Sequence, residues 1–400
     1  MRMSGEEINF LNKMPLKIKY LLIFFICVAR FIIFGKANKK IKSPKKIAIM
    51  QTAKLGDMVC TTPMFRAVKE KYPEVKVFAI GNEINREILE RNPDVDGCLV
   101  YKNNFWELLK NIKKEKIDFA CDTNPSFLGL ATLYLAGVPL IASPVIKNGF
   151  SPVETRLYKM LRKFVVAVPH HMGNYAPREY LRLLEPVGIF SDNIKKYLYF
   201  TKQADEAIKK FFISNEIDIS KDFVVGILPS VGNKIKEWET EKFAQLADYI
   251  YSHYNAKIVI MGGKDDVAKS KEMIKTLNRD TKFTDTTGLF NLDNLKALIS
   301  KLSLFISVDT GPVYIAEAFG VPTIDIIGPM DEREQPPVGE KNKVVMMESR
   351  KQSVLHIMNA IEYDYKEARR QIEEITVKMV VNKLNELAPV IGLRICKDTA

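Results

Sequence analysis

Residues 47–57 read Ile-Ala-Ile-Met-Gln-Thr-Ala-Lys-Leu-Gly-Asp. The first four residues form a short apolar run, which is typical of a strand buried in a parallel sheet. A turn that contains Gly56 follows, and a helical pattern then continues to about Tyr72. A buried strand, a tight turn and a helix in this order form the first half of a βαβ unit, so the stretch predicts an α/β fold.

The alternation of short apolar runs and helical patterns continues along the chain and starts again near residue 223. Strands are predicted at 75–80, 97–101, 119–122, 223–228, 257–261, 304–307 and 323–327. Helices are predicted between them, at 84–91, 105–114, 241–254, 266–278, 292–301 and 312–319. We therefore expect two doubly wound domains with parallel sheets, which suits a chain of 400 residues. A helical pattern at 361–388 is expected to return and pack on the first domain.

The positive charge of the chain is concentrated near its N-terminus. The net charge is +12, and residues 1–46 contain eleven Lys or Arg against two Glu. A protein that binds nucleic acid would spread its basic residues over its folded domains. Nucleic acid is therefore not expected as a partner.

An apolar run at 20–34, interrupted by Arg30, lies within this basic segment. About 20 apolar residues are needed to span a bilayer, and no signal-peptide cleavage site follows the run. We therefore expect residues 1–45 to form a membrane-associating arm that lies in the interface, with its lysines at anionic head groups. A spanning helix and a helix packed on the protein's own body are the alternatives.

The scarcity of cysteine and histidine excludes several classes of protein. Four histidines and five scattered cysteines, with no CxxC pair, exclude a disulfide scaffold and argue against a zinc site. The cysteines are Cys27, Cys60, Cys98, Cys121 and Cys396. Reduced thiols fit a cytosolic protein. No Gly-rich dinucleotide or P-loop motif is present, and Asp94-Val95-Asp96 is not assigned to a metal because it lies in a turn.

The loops that follow the predicted strands are the candidate sites, because ligands of open α/β sheets bind outside the carboxyl ends of the strands. Gly56 permits a tight turn, and Asp57 would stand at the mouth of the crevice, unless it only caps a helix. The amides of Thr310 and Gly311, where a helix starts, could hold a diphosphate or serve only as a cap.

Two further loops could contribute to the same site. Lys236 could meet a phosphate as a point charge, or it could be an ordinary surface lysine. Gly262 and Gly263 allow close approach of the backbone. Asp266, or failing that Asp265, could accept hydrogen bonds from ribose hydroxyls, or could cap the next helix.

Taken together, these segments resemble glycosyltransferase family 9, the heptosyltransferase-like enzymes of lipopolysaccharide assembly. The likeness covers about residues 46–340, in the expected order. It rests on the opening stretch at 47–68, on Lys236-Glu-Trp238 as a K-x-W element, and on a donor-site signature within 283–329.

The resemblance implies a GT-B fold, in which two Rossmann-like domains face a central cleft. The N-terminal domain, 46–210, would hold a lipid-linked glycan acceptor, and the C-terminal domain, 211–360, would hold a nucleotide-sugar. Residues 361–400 would form a helix that packs back on the N-terminal domain. The family implies an inverting reaction that needs no metal and no other cofactor. With the arm at 1–45, this predicts a peripheral or monotopic protein on the cytoplasmic face of the inner membrane.

The resemblance also assigns roles to single residues. Asp57 matches the general base, which takes the proton from the acceptor hydroxyl. Lys236 and the amides of Thr310 and Gly311 would stabilise the nucleoside diphosphate that leaves. Asp309 would position the sugar or its own loop.

The remaining expected donor contacts are Gly288 and Tyr314, and Tyr314 stands where family members often have His. Glu239 and Ser230 also depart from the family's usual Pro and Gly. Two alternatives therefore stay open. One is a non-catalytic, membrane-tethered protein that binds a sugar-nucleotide, and the other is an enzyme of the same fold such as a sugar-nucleotide epimerase.

Overall fold

The computed structural model of the chain describes residues 15–395. Its helices are α1 (Leu16–Phe34), α2 (Leu55–Lys71), α3 (Glu83–Ile88), α4 (Phe105–Glu115), α5 (Phe127–Ala136), α6 (Arg156–Leu161), α7 (Ala176–Leu181), α8 (Lys202–Ser214), α9 (Thr240–Tyr254), α10 (Val267–Thr276), α11 (Leu292–Ile299), α12 (Gly311–Ala318), α13 (Tyr365–Glu373) and α14 (Val377–Ile391). Its strands are β1 (Lys46–Met50), β2 (Lys76–Gly81), β3 (Gly97–Val100), β4 (Phe119–Asp122), β5 (Leu140–Lys147), β6 (Val166–His171), β7 (Val224–Leu228), β8 (Lys257–Ile260), β9 (Phe283–Asp285), β10 (Leu304–Val308), β11 (Thr323–Ile326) and β12 (Asn342–Val345).

The strands form two parallel sheets of the same topology. The first has the order β3-β2-β1-β4-β5-β6, and the second has the order β12-β11-β10-β7-β8-β9. In each sheet the first strand of the series lies at the centre, and the chain moves first to one side and then to the other. This is the doubly wound order that places ligand sites at the carboxyl edge of the sheet. The predicted α/β class is confirmed.

The chain divides into two compact units. Of the described residues, the first unit contains those up to Lys54 together with Thr61–Arg86 and Pro93–Ile194. The second unit contains Leu55–Cys60, Glu87–Asn92 and the described residues from Lys195 onward. The division after Ile194 differs from the predicted boundary at 210/211, because Lys195 and the residues that follow it belong to the compact body of the second sheet.

The C-terminal segment packs on the second unit, so the prediction that residues 361–400 return to the first domain was wrong. Its pattern forms two helices, because the Thr376 side chain accepts a hydrogen bond from the Met379 amide and starts α14. The Trp238 indole donates to the carbonyl oxygen of Ile375 at 2.8 Å, and Leu384 is buried in the core of the second unit. Residues 396–400 lie outside the described part of the chain.

The N-terminal helix α1 packs on the first unit. Ile23, Phe24 and Cys27 are buried in its core, and the Arg30 Nε donates to the carbonyl oxygen of Tyr134 at 2.7 Å. Within residues 15–395, no helix is both long enough and apolar enough to cross a membrane. The inward face of α1 therefore follows the alternative in which the helix packs on the protein's own body. Residues 1–14 of the predicted arm lie outside the described residues.

Candidate active site

Four loops of the second unit carry the predicted donor residues, and each follows the carboxyl end of a strand. The loop after β7 leads to Lys236, and the loop after β10 begins at Asp309. The loops after β8 and β9 carry Gly262 and Gly288. Because β10, β7, β8 and β9 are neighbours in that order and parallel, these loops share one edge of the sheet.

Asp309 is the centre of a buried polar cluster. The Lys236 Nζ lies 2.6 Å from its carboxylate Oδ2 and 2.6 Å from its carbonyl oxygen. The Tyr314 hydroxyl donates to the other carboxylate oxygen, Oδ1. Burial, and next the negative charge of Asp309, raise the pKa of Tyr314 well above its ordinary value, which keeps the hydroxyl protonated as a donor.

A second carboxyl group, that of Asp325, lies beside this cluster in the middle of β11. Asp325 is fully buried, and neither of its carboxylate oxygens has a hydrogen-bond partner among the described residues. Burial raises the pKa of Asp325 well above its ordinary value, and the charge of Asp309 raises it further, whereas Lys236 lowers it. This group therefore tends to stay protonated beside the charged pair.

The turn that carries Asp57 packs against the start of α12. A Cβ added to Gly56 would lie 2.9 Å from Cδ2 of Tyr314, and one added to Gly311 would lie 3.3 Å from the Gly56 amide nitrogen. Only glycine at these positions lets the two backbones approach so closely. Asp57 itself is half-buried in the first turn of α2, which begins at Leu55, so it is not the N-cap residue.

Thr310 and Gly311 stand at the N-terminus of α12. Thr310 is the N-cap residue, and its side chain makes no capping hydrogen bond. Both residues are half-buried, and Pro312 follows in the first turn. The N-terminus of α12 therefore remains suited to binding an anion.

The glycines after β8 and β9 form a second cluster at the same edge. The Gly288 amide donates to the carbonyl oxygen of Gly262 at 3.0 Å, and Gly288 has φ +75°, a conformation that favours glycine. The Asp266 Oδ2 accepts from the Gly263 amide at 2.7 Å, as the capping alternative for this acid predicts. Asp265 is exposed.

Lys196 borders the candidate site, and the sequence reasoning missed it. Its side chain is fully buried, and its Nζ donates to Oε2 of Glu317 at 2.5 Å. The same nitrogen lies 5.9 Å from the ring centroid of Tyr314. Burial raises the pKa of the nearby Cys60 thiol to about 12, although the Lys196 charge lowers it. No local sequence motif predicts the role of Lys196, because its partner Glu317 is far away in the sequence.

Most of the predicted residues fall into two groups. Asp57, Lys236, the Asp309-Thr310-Gly311 loop and Tyr314 are linked through the contacts of Tyr314 and Gly56. Gly262, Gly263, Asp266 and Gly288 form the neighbouring group. A salt bridge from Lys269 to Glu237 at 3.2 Å connects α10, the helix that follows Asp266, to the segment that carries Lys236.

Asp94 and Asp96 take part in ion pairs. Asp94 accepts from Arg66 at 2.8 Å, and Asp96 pairs with Lys69 at 2.7 Å. The D-x-D pattern is thus accounted for by contacts within the first unit. Over residues 15–395, no group of three or more His, Cys, Asp or Glu side chains is arranged to hold a metal.

The chain as a whole is similar to members of one known family. A family model described as glycosyltransferase family 9 (heptosyltransferase) matches residues 107–363. Lipopolysaccharide heptosyltransferase 3 of Escherichia coli is 25% identical over 291 residues, which cover 69% of this chain and 81% of that protein.

Solved structures agree with this match. The family 9 glycosyltransferase from Veillonella parvula DSM 2008 superposes with a TM-score of 0.71 at 19% identity, over 86% of this chain and 98% of that one. The E. coli ADP-heptose lipopolysaccharide heptosyltransferase II gives 0.67 at 18% identity, over 86% of this chain and 99% of that one. These likenesses confirm the predicted GT-B fold.

Proposed function

The chain belongs to glycosyltransferase family 9 and is a glycosyltransferase, and from this premise we propose that it transfers a heptose or a similar sugar from a nucleotide-sugar to a lipopolysaccharide-type acceptor. The observation that carries the proposal is the cluster of Lys236, Asp309 and Tyr314 at the N-terminus of α12. An ADP-linked donor is the first choice, because ADP-heptose is named for a structural relative.

The donor's diphosphate would bind at the N-terminus of α12, beside Lys236. Lys236 supplies a full charge, and the amides of Thr310 and Gly311 supply the positive end of the α12 dipole. When the bond between the anomeric carbon and the diphosphate oxygen breaks, negative charge grows on that oxygen. Positive groups and hydrogen-bond donors that the protein already holds in place stabilise such charge without having to reorganise. Asp309 acts in this account as a positioning residue, since its carboxylate holds Lys236 and Tyr314.

Asp57 would act as the general base. It takes the proton from the acceptor hydroxyl while that oxygen forms its bond to the anomeric carbon, and the nucleoside diphosphate departs from the opposite face. A single displacement of this kind inverts the anomeric configuration. The position of Asp57 supports the role, because Gly56 beside it packs on Tyr314 of the donor cluster.

We propose that transfer needs no divalent cation. In this site Lys236 and the helix N-terminus supply the positive charge that a metal would otherwise bring to a diphosphate. We also propose that the acceptor is lipid-linked and that the protein works peripherally at the cytoplasmic face of the inner membrane. The basic, apolar helix α1 supports that location.

The proposal is tested by incubating the purified chain with ADP-, GDP-, UDP- and CMP-sugars and heptose-deficient lipopolysaccharide, with and without EDTA. We expect one nucleotide-sugar, an ADP-heptose first, to raise the thermal midpoint and to give a glycosylated product by mass spectrometry in EDTA. Binding without product would favour a non-catalytic sugar-nucleotide-binding protein. Donor turnover without acceptor would favour an epimerase, and activity lost in EDTA would overturn the metal-independent mechanism.

A further inference from the structure

Helix α1 is apolar on both of its faces. One face, with Ile23, Phe24 and Cys27, is buried against the first unit. The opposite face carries large apolar side chains that are exposed, and we call these residues the outward stripe. The outward stripe consists of Ile18, Leu21, Leu22, Phe25, Ile32 and Ile33. A helix that is apolar all round is normally covered on all sides, so the outward stripe indicates an unseen apolar partner.

The charge around the outward stripe is of one sign. Residues 15–46 contain nine Lys or Arg and no Asp or Glu. Exposed lysines stand at both ends of the helix, with Lys17 at its start and Lys36, Lys39 and Lys40 after its end. An apolar strip with cations at its ends is complementary to a bilayer with anionic head groups, where each lysine contributes about 1 kcal/mol.

The helix is fixed to the first unit at its C-terminal end. The Tyr134 hydroxyl donates to the carbonyl oxygen of Gly35 at 2.7 Å, and the Phe31 and Phe164 rings stack at 4.2 Å. The chain beyond it adds the Ala37 amide to the Phe164 carbonyl at 2.8 Å and the Lys39 amide to the Pro139 carbonyl at 3.1 Å. Whatever binds the outward stripe therefore also fixes the orientation of the first unit.

We propose that the outward stripe is a monotopic docking surface for an anionic lipid bilayer, with α1 lying along the membrane while its inner face stays packed on the first unit. The inference rests on the proposed function in one respect, because a lipid-linked acceptor gives such docking its purpose. A helix of this length covers about 28 Å of membrane surface, at about 1.5 Å per residue. Docking would present one fixed face of the first unit to lipid-linked acceptors.

A second copy of the chain is a poorer occupant. Pairing two outward stripes would bring two basic segments together, each without an acidic residue between positions 15 and 46. Like charges held at short distance oppose such an interface, whereas anionic head groups neutralise them.

The test is co-sedimentation of the full chain with phosphatidylcholine vesicles that contain or lack phosphatidylglycerol. The variant Ile32→Glu changes a residue that is 77% exposed, and the matched control Ile213→Glu changes one that is 76% exposed on α8. We expect the wild type to sediment with the anionic vesicles. Ile32→Glu should lower its partition coefficient roughly tenfold or more, as expected for losing one buried aliphatic side chain, and Ile213→Glu should leave it unchanged.

Unchanged thermal midpoints and donor binding will show that both variants fold. A second variant, Lys39→Ala with Lys40→Ala, should weaken binding to the anionic vesicles only. A wild type that stays in the supernatant, or equal losses in Ile32→Glu and Ile213→Glu, would overturn the proposal. A dimer that forms without vesicles and that Ile32→Glu dissociates would also overturn the proposal, since it would identify a second copy of the chain as the partner. The vesicles contain no donor and no acceptor, so their result does not depend on the proposed transfer reaction.

Discussion

Two hydrogen bonds join Lys236 to Asp309. The Lys236 ammonium group lies 2.6 Å from a carboxylate oxygen of Asp309 and 2.6 Å from the Asp309 carbonyl oxygen. The pair joins the loop after β7 to the loop after β10 at the start of α12. Both side chains are largely buried. The fold thus holds a cation in place beside a helix N-terminus before any diphosphate binds.

Lys236→Met should remove most of the stabilisation of the leaving group. We expect kcat to fall about 10²- to 10³-fold, the usual loss when one group that stabilises charge in the transition state is removed. Initial rates of transfer at saturating donor and acceptor measure this. The control is Lys234→Met, an exposed lysine in the same short 3₁₀ turn. An equal loss in both variants would show that the position of Lys236 is not special.

Tyr314→Phe should leave one carboxylate oxygen of Asp309 without its hydroxyl donor. We expect the free energy of unfolding to drop by about 1 to 3 kcal/mol, which is the usual cost of leaving a buried polar group without its hydrogen-bond partner. Urea denaturation measures the change. Tyr365→Phe, at a tyrosine that is 64% exposed, should change it little. A Tyr314→Phe protein as stable as the wild type would contradict the contact.

Gly262→Ala should disturb the loop that carries Asp266. A Cβ at Gly262 would lie 2.8 Å from the Asp266 Cβ and 3.0 Å from the Thr287 Cγ2, so these groups must move. Overpacking of this kind usually costs about 1 to 3 kcal/mol of folding stability, and we expect the shifted loop to bind the donor more weakly, as measured by calorimetry. The control Lys275→Ala, at an exposed lysine near the end of α10, should bind donor normally. Similar affinities in both variants would remove this loop from the donor site.

Asp325→Asn should make stability less sensitive to pH. The pKa of Asp325 is raised in the folded protein, so the native state holds a proton that the unfolded state has released. This contribution is fully present below the unfolded pKa, about 3.9, and is lost as the pH rises toward the folded value. The wild type should lose up to about 1.4 kcal/mol per pH unit relative to the variant within that window.

Thermal midpoints of the wild type and Asp325→Asn between pH 4 and pH 8 measure this, with the ordinary Asp pKa near 3.9 as the lower bound of the range. The difference in favour of Asn should grow with pH. A constant difference, or one that shrinks as the pH rises, would show that Asp325 is ionised in the folded protein.

The sequence predicts the central strands of both sheets well. Predicted strand 119–122 coincides with β4, because a short apolar run between turns has few alternatives. The strands β5 and β6 were not predicted. Each contains a proline, Pro144 or Pro169, and β6 lies at the edge of its sheet, where proline is tolerated.

Other features depend on tertiary contacts that no local pattern encodes. The apolar face of α14 would suit either domain, and only the core around Trp238 and Leu384 decides between them. Asp57, Lys236 and Asp309 could be proposed as site residues because each follows a strand. Lys196 could not, since it pairs with Glu317, which lies 121 residues away.

The role of Asp57 is tested most directly by two measurements on Asp57→Asn, the rate of sugar transfer and the donor dissociation constant. We expect kcat to fall about 10²- to 10⁴-fold, as for loss of a general base. Donor affinity should stay unchanged, because the role proposed for Asp57 concerns the acceptor hydroxyl. Asp280→Asn, at an exposed aspartate of the second unit, should behave as the wild type. Transfer by Asp57→Asn at the wild-type rate would contradict the account.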